Sequence, residues 1–124
     1  MSKINIDYEL INDKEKVLSG SVVGIKKDNF INYKINDDIY SITINEDEVR
    51  LIKKDKEKSF ELLFSQNEKT VGKLTVFDNN LFMNLQIDTL NLEINEYNIK
   101  INYKLYIENE FSNEVIYKLD WRNE

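Results

Sequence analysis

Apolar and polar residues alternate along most of this chain, and this pattern restricts the possible fold more than any other feature of the sequence. Its clearest example is the stretch NIKINYKLYIEN at positions 98–109, in which apolar residues occupy every second position: Ile99, Ile101, Tyr103, Leu105 and Ile107. Successive side chains of a β-strand point to opposite faces of the sheet, so one face of such a strand is apolar and the other is hydrated. The alternation therefore predicts a strand and carries no information on function.

The same spacing recurs in segment after segment, and each segment ends at Asn, Asp, Gly, Ser or charged residues that are typical of turns. This gives roughly nine or ten candidate strands. No segment shows the apolar spacing of an amphipathic helix, and the chain has no Ala, the strongest helix former, so we expect little helix. The predicted inward faces carry many large side chains: Tyr33, Tyr40, Phe60, Phe64, Met83, Tyr103, Tyr117 and Trp121.

Many short antiparallel strands at nearly regular spacing are typical of a β-sandwich or a β-barrel, whereas a parallel sheet would need helical crossovers. A barrel is favoured because the strands are long, no Pro protects a sheet edge, and closure removes unpaired edges. A chain of 124 residues is long enough for one such domain with one core. We therefore predict one all-β domain, residues 1–124, folded as an antiparallel barrel of about eight to ten strands.

Composition excludes several classes of function. The chain has no Cys and no His, which removes thiol nucleophiles, imidazole bases, disulfides and the usual zinc, copper and non-haem iron ligand sets. Three glycines cannot build the phosphate-binding or oxyanion loops of G-x-x-x-x-G-K, G-x-G-x-x-G or G-x-S-x-G, and none of these motifs is present. The acidic stretches NDD at 36–38 and NEDE at 45–48 are interpreted as turns rather than calcium ligands. We therefore expect no metal, no cofactor and no catalytic residues.

The net charge and the N-terminal residues indicate which binding partners and which cellular location to expect. The 23 acidic and 17 basic residues give a formal net charge of -6, which repels phosphate backbones and anionic lipids. The N-terminal stretch MSKINIDYEL lacks the apolar core of a signal peptide, and no run of about 18 apolar residues could span a membrane. We therefore expect a soluble cytoplasmic protein without nucleic-acid or membrane partners. The abundance of Asn, Ile, Lys and Tyr indicates AT-rich codons rather than a function.

Three long stretches of the chain carry a resemblance to a known family: KKDNFINYKINDDIYSITI, EVRLIKKDKEKSFELLF, and TVFDNNLFMNLQIDTLNLEI followed by IKINYKLYI. In order and character they resemble the YwiB-like proteins, small uncharacterised bacterial β-barrels of the calycin type, which is the lipocalin-related architecture. The resemblance spans most of the chain. It implies a bacterial calycin-like barrel, and it implies no established biochemical function.

Individual positions carry this resemblance. Lys53 stands where the family tends to have Arg, and Phe64 matches a Phe that ends a strand. Thr75 and Phe77 match a Thr and an aromatic residue of the family. Tyr103 and Leu105 match its Tyr-x-Leu pair. The chain departs from the family at Asp55 and Asp78, where Gly is usual, and at Lys73, where an aromatic residue is expected.

Three functions are compatible with such a barrel. A barrel that binds a small molecule without catalysis would have a pocket at its mouth, with one or two polar groups in an apolar wall. A protein-interaction or assembly module would expose an apolar patch on its outer face, to which the out-of-phase residues Leu63, Phe82 and Ile116 could contribute. An enzyme would need paired carboxylates facing a cavity. We rank the three functions in this order and expect a non-enzymatic protein.

The first function implies candidate site residues on the inner face or at the mouth. Buried phenols need hydrogen-bond partners, and barrel interiors often place one beside the polar end of a ligand, which draws attention to Tyr103 and Tyr117. Trp121 is expected to cap one end of the barrel. The candidate ligand-binding residues, for a small apolar ligand, are Phe64, Phe77, Met83, Tyr103, Tyr117 and Trp121.

Two further expectations concern the interior. Gly20 and Gly24 lie four residues apart in the second strand, a spacing that predicts a strongly bent stretch or a close approach of another backbone. Because the inward side chains are large, we expect close packing to fill the middle of the barrel and to leave at most a shallow pocket at one mouth. A continuous cavity above about 300 Å³ would contradict this expectation.

Overall fold

The computed structural model describes residues 2–124, and every regular element in this range is a β-strand. The described range contains ten strands: β1 (Ser2–Asn12), β2 (Glu15–Lys27), β3 (Phe30–Ile35), β4 (Asp38–Ile44), β5 (Glu48–Lys54), β6 (Lys58–Ser65), β7 (Lys69–Val76), β8 (Leu81–Ile94), β9 (Asn98–Ile107) and β10 (Glu110–Asn123). Residues 2–124 include no helix that is long and apolar enough to cross a membrane. The prediction of an all-β chain is confirmed.

The strands of the described range form one closed antiparallel barrel. Each strand pairs with its neighbours in sequence, and β10 closes the barrel on β1, with Ile4 opposite Asn123 at one end of that ladder and Asn12 opposite Val115 at the other. The predicted fold class is thereby confirmed, at the upper end of the expected strand number. Closure pairs the first strand with the last and so removes both sheet edges that an open meander would leave.

Turn residues explain how such tight hairpins form with few glycines. The two-residue turns after β1 and β9 have positive φ at both positions: 49° and 71° at Asp13 and Lys14, and 50° and 71° at Glu108 and Asn109. Positive φ at both central residues is the mark of the type I′ turn, whose twist matches that of the flanking strands. Asp and Asn tolerate this conformation better than other side chains, which is why they mark the turns in the sequence.

The alternation of inward and outward residues changes phase in one strand, β8. In the sequence the apolar alternation is interrupted at Asp88 and Thr89 and resumes with Leu90, Leu92 and Ile94, but β8 is continuous there. Its register with β9 shifts between Thr89 and Asn91, so Leu90 is the extra residue of a β-bulge. Thr89 consequently faces inward and is buried, while Leu90 is exposed.

The contact between β2 and β3 is much shorter than the strands themselves. Only Ile25–Lys27 of β2 pairs with β3, so residues 15–24 have no ladder partner on that side. A Cβ on Gly24 would lie 2.5 Å from the Cδ1 of Ile6 and 2.8 Å from the backbone oxygen of Asn32. Gly24 is therefore required by the close approach of β1 and β3, which is one of the two expected reasons for a glycine here.

The interior divides into two halves along the barrel axis. The half next to the chain termini and to the turns after β2, β4, β6 and β8 is filled by closely packed apolar side chains, and we call it the packed half. Its buried residues are Ile4, Ile6, Ile31, Ile42, Val49, Phe64, Ile87, Ile99, Ile101, Leu119 and Trp121. The stretch at 98–109 crosses both halves, since Ile99 and Ile101 lie in the packed half while Tyr103 and Leu105 lie in the other.

Candidate ligand pocket

A pocket of about 330 Å³ lies in the second half of the interior, which we call the pocket half. It is at the barrel end formed by the turns after β1, β3, β5, β7 and β9. Its wall is mainly apolar, and its aliphatic side chains come from strands on both sides of the barrel: Leu10, Leu18, Ile35, Leu51, Leu62, Leu105 and Val115. Five of the seven tyrosines of the chain also line it: Tyr8, Tyr33, Tyr40, Tyr103 and Tyr117.

The size of this pocket corrects the expectation of a shallow one. The pocket is at one mouth, as expected, but its volume exceeds about 300 Å³ and it reaches Leu51, Leu62 and Tyr103 in the middle of their strands. Side chains just fill the interior of a barrel of about eight strands, and the expectation of close packing applied this limit to the whole predicted range of eight to ten. Barrel diameter grows with strand number, so ten strands leave more room than the large inward residues can occupy.

Three tyrosines from β1, β3 and β4 are stacked along one wall of the pocket. The rings of Tyr33 and Tyr40, which pair directly across the β3–β4 hairpin, have centroids 4.8 Å apart and planes only 1° apart. The ring of Tyr8 continues the stack, 6.2 Å from that of Tyr33 and tilted by 16°. A Cβ on Gly20 would lie 2.7 Å from the Tyr8 hydroxyl oxygen, so this glycine leaves the space that the Tyr8 side chain occupies.

The hydroxyl of Tyr33 on β3 is hydrogen-bonded to the hydroxyl of Tyr117 on β10, which lies three strands away around the barrel wall. Burial raises the pKa of both phenols above the usual value of 10.0. Both groups are therefore neutral at physiological pH, and one of them donates its proton to the other. The bond joins two strands that do not pair, so it spans the interior rather than the wall.

Tyr103 forms the floor of the pocket. Its ring packs against Phe64 of the packed half, with centroids 4.6 Å apart and planes tilted by 52°. The residue is 6% exposed, and burial, together with the nearby Tyr40 phenol, raises its pKa. Among the hydrogen bonds of residues 2–124, none involves the hydroxyl of Tyr103 or that of Tyr40. The hydroxyl of Tyr8 has none either, so three phenol hydroxyls at the pocket keep their hydrogen-bonding capacity free.

Polar side chains surround the mouth. The Nζ of Lys53 lies 3.9 Å from the Oδ2 of Asp38 and 5.8 Å from the centroid of the Tyr40 ring, so this cation shares the rim with a carboxylate. On the other side, the Nδ2 of Asn113 donates to the Oδ1 of Asn12 at 2.6 Å. A ligand would therefore pass from a polar rim into an apolar and phenolic interior.

The pocket wall contains one acidic residue, Glu9, whose carboxylate is paired with two lysines. Its Oε2 lies 3.0 Å from the Nζ of Lys16, its Oε1 lies 3.4 Å from the Nζ of Lys118, and the hydrogen bond with Lys16 lowers its pKa. Over residues 2–124, no three acidic side chains lie close enough together to hold a metal ion. The wall offers neither a carboxylate pair nor a metal-binding cluster within the described residues.

Four of the candidate site residues are buried, in two different environments. Tyr103 and Tyr117 line the pocket. Phe64 lies directly behind its floor, in contact with Tyr103 but fully buried. Trp121 is buried in the packed half and lies away from the pocket wall.

The two remaining candidates lie outside the pocket wall. Met83 is partly buried and packs against the core from β8. Phe77 lies in the turn after β7, is 37% exposed, and has the Nζ of Lys54 at 5.7 Å from its ring centroid. The structure therefore does not bring these two side chains together with the tyrosines.

Sequence reasoning did not include Tyr8, Tyr33, Tyr40 and Lys53 among the candidate site residues, although they line the pocket. For Tyr33 and Tyr40 the sequence did contain a signal that they lie together. If the turn of the β3–β4 hairpin is centred on 36–37, Tyr33 and Tyr40 become direct cross-strand partners, and two aromatic partners on one face predict a stacked pair. The depth of each residue along the barrel axis has no such local signal.

The three out-of-phase apolar residues are distributed around the outer wall. Leu63, Phe82 and Ile116 lie on β6, β8 and β10, and the intervening strands β7 and β9 separate them. Phe82 is 55% exposed and has the Nζ of Lys73 at 4.2 Å from its ring centroid.

Comparison with known proteins gives a match for the fold of the chain and none for its sequence. No protein-family model matches the chain, and no curated relative matches it. Its structure is similar to the crystal structure of the YwiB protein from Bacillus subtilis, with a TM-score of 0.58 over 98% of this chain and 91% of that chain. The two sequences are 11% identical. The resemblance to YwiB-like proteins is therefore confirmed as a likeness of fold, and a likeness at this identity carries no activity.

Proposed function

We propose that this chain is a bacterial, cytoplasmic, calycin-like β-barrel that binds a small, largely apolar molecule and does not catalyse a reaction on it. The observation that carries the proposal is the pocket of about 330 Å³ at one end of the barrel. Ligand sites are typically concave, mostly apolar cavities of about 300–1,000 Å³ with a few convergent polar groups. A pocket with an aliphatic and aromatic wall, free phenol hydroxyls in that wall and a polar rim has these properties.

The arrangement of the interior supports binding rather than catalysis. A paired-carboxylate mechanism needs two acids facing one cavity, and the pocket wall has Glu9 alone, already paired with Lys16 and Lys118. Buried phenols with raised pKa values are poor proton acceptors near neutral pH, because they are already protonated there. The net charge of -6 supports a partner that is neither nucleic acid nor an anionic membrane.

Native mass spectrometry of the protein purified without refolding tests the proposal. A bound molecule would appear as an added mass that disappears on unfolding, and ligand-detected NMR with a fragment library would find binders if the purified protein is empty. The variant Val115→Phe adds a ring to the pocket wall and should abolish both signals. Val71→Phe, at a position 75% exposed on the outside of β7, is the matched control and should leave them unchanged.

Two results would contradict the proposal. One is the absence of both a retained mass and any fragment that Val115→Phe displaces. The other is binding that survives in Val115→Phe and is lost in Val71→Phe, since the bound molecule would then lie on the outer wall. Retention of the fold in both variants is checked by far-ultraviolet circular dichroism.

A further inference from the structure

One edge of β2 is open over most of its length. Residues 15–24 pair with β1 on one side, but no strand of the described range forms a ladder with them on the other side, because β3 pairs only with Ile25–Lys27. An open edge presents a row of backbone N–H and C=O groups with which another strand can pair. The barrel therefore keeps one free edge, although its first and last strands are joined.

The β3–β4 hairpin is too short to cover this edge. Ile25 pairs with Asn32, so the same register continued would place Ile35, the last residue of β3, level with Val22. Residues 15–21 of β2 therefore extend beyond the hairpin, and a strand of another molecule can approach them there.

The edge lacks most of the features with which proteins protect such an edge, which are charged side chains, proline and bulges. The stretch VLSGSVVGI at 17–25 has no charged residue and no proline. A bulge lies at its beginning, at Val17, but the pairing with β1 is regular over Leu18–Gly24. The side chains of Val17 and Val23 are 53% and 52% exposed. The edge is thus regular, uncharged and partly apolar, which suits it for pairing.

The sequence of this edge reads nearly the same in both directions from Gly20. Antiparallel pairing of two identical strands centred on this residue places similar side chains opposite each other: Val17 and Val23, Leu18 and Val22, Ser19 and Ser21. Directly opposite residues share a face of the sheet, so apolar side chains meet apolar ones and hydroxyls meet hydroxyls. A two-fold interface needs this self-complementarity, because one surface contacts its own copy. The occupant that the edge fits is therefore a second copy of this chain.

We propose that two copies of this chain associate by antiparallel pairing of their open β2 edges, with Gly20 of both copies at the two-fold axis. The two barrels then share one continuous sheet, and the backbone groups that β3 leaves free find partners. The contact borders the pocket, because Leu18, which lines it, lies opposite Val22 of the second copy. The inference does not depend on the proposed function.

The size of this contact determines the strength of the dimer. Paired strands over residues 17–23 span about 24 Å, at about 3.4 Å per residue. A single pair of strands buries less than the about 1,200 Å² at which stable interfaces begin, and such small interfaces belong to transient complexes. We therefore expect a reversible dimer with a Kd of about 10–100 μM.

Sedimentation velocity of the full chain, between about 5 and 500 μM, measures this association. The double variant Val17→Lys, Val23→Lys places lysine opposite lysine twice and should weaken the dimer at least about tenfold. The matched control is the double variant Val71→Lys, Phe82→Lys, which adds the same charge at exposed positions on the outside of β7 and β8. This control should leave the association unchanged.

A mixing experiment separates lost pairing from lost folding. The double variant Val17→Glu, Val23→Glu should also be monomeric by itself, because glutamate lies opposite glutamate. Mixed with the lysine variant, it places an acid opposite a base at both positions, and we expect a heterodimer at least as tight as the unsubstituted dimer. Chains that had failed to fold would not gain an association in this way.

Introduced cysteines report the register, since the chain has no Cys of its own. Ser19→Cys in one chain and Ser21→Cys in another become direct neighbours when Gly20 is at the centre of the pairing. Mixed under mild oxidation, the two variants should form a disulfide-linked dimer, several-fold more than either variant alone. Equal cross-linking in the mixture and in the separate variants would contradict this register.

Two sedimentation results would overturn the proposal. A chain that stays monomeric up to about 500 μM does not pair with its own copy, and the open edge then faces water or a different protein. A dimer that survives in the lysine variant, or that the control variant loses to the same extent, uses another surface. Neither result affects the proposed ligand binding, which is measured separately.

Discussion

The packed half and the pocket half of the barrel are built by the same strands with the same alternation, yet only one of them is full. In the packed half the inward residues are mainly Ile, Leu, Val and Phe, and several are completely buried. In the pocket half five tyrosines stand among the aliphatic side chains, and a pocket of about 330 Å³ remains between them. The difference therefore lies in which side chains point inward at each depth along the barrel axis.

This difference has a physical cause in the side chains themselves. Branched aliphatic groups interdigitate and can fill a barrel interior to the density of a protein core. A tyrosine brings a rigid ring and a hydroxyl that can form hydrogen bonds, so tyrosines from strands that do not pair can meet through their hydroxyls, as Tyr33 and Tyr117 do, and stay apart at their rings. We infer that the packed half supplies most of the stability and that the pocket half is arranged for binding.

The strongest test of this comparison is a matched pair of leucine truncations. Leu119 is 0% exposed in the packed half, whereas Leu62 is 7% exposed and borders the pocket. We expect Leu119→Ala to lower the free energy of unfolding by about 4 kcal/mol and Leu62→Ala by about 2 kcal/mol, because fewer contacts are lost where the neighbouring space is already empty. Urea denaturation followed by Trp121 fluorescence measures both, and equal losses would remove the distinction between the halves.

A pair of glycine substitutions tests the same distinction at the wall. A Cβ on Gly24 meets the Asn32 backbone oxygen and the Ile6 side chain of the packed half, and neither can move freely. A Cβ on Gly20 meets only the end of the Tyr8 side chain, which borders the pocket and can turn into it. We expect Gly24→Ala to cost about 3 kcal/mol and Gly20→Ala about 1 kcal/mol, by the same denaturation measurement. A larger cost at Gly20 would show that the pocket half is as tightly packed as the other.

The sequence predicted much of the fold because alternation and turn chemistry are local properties. Alternation identified the inward residues of the stretch at 98–109, and Asn and Asp marked the turns, so the fold class and the closure followed. The bulge at Leu90 was missed because one extra residue reverses the faces without changing composition. The pocket was missed because its volume depends on the strand number and on the depth of each tyrosine, which only the register of the whole barrel determines.

Alkaline pH should weaken the fold through the tyrosines of the pocket half. Burial raises the pKa of Tyr40 to about 12, whereas an unfolded tyrosine titrates near its usual value of 10.0. Between these two values the unfolded chain loses a proton that the folded chain keeps, so stability is full below pH 10 and declines as the pH rises toward 12. We expect the urea midpoint of Tyr40→Phe to fall less steeply over this range than that of the unsubstituted protein. Tyr97→Phe is the control, and a slope that Tyr40→Phe leaves unchanged would contradict the prediction.

The smallest expected effect is a difference in stability between variants of two tyrosines in the same pocket. Tyr117→Phe leaves the hydroxyl of Tyr33 without its partner and should cost about 1 kcal/mol, the net value of one hydrogen bond. Tyr103→Phe removes a hydroxyl that has no partner within the described residues, while its ring keeps the contact with Phe64, so stability should change by less than about 0.5 kcal/mol. Both variants are measured by urea denaturation of protein freed of any bound molecule. A cost at Tyr103 as large as that at Tyr117 would mean that its hydroxyl serves the fold, and the pocket would then have one free hydroxyl fewer.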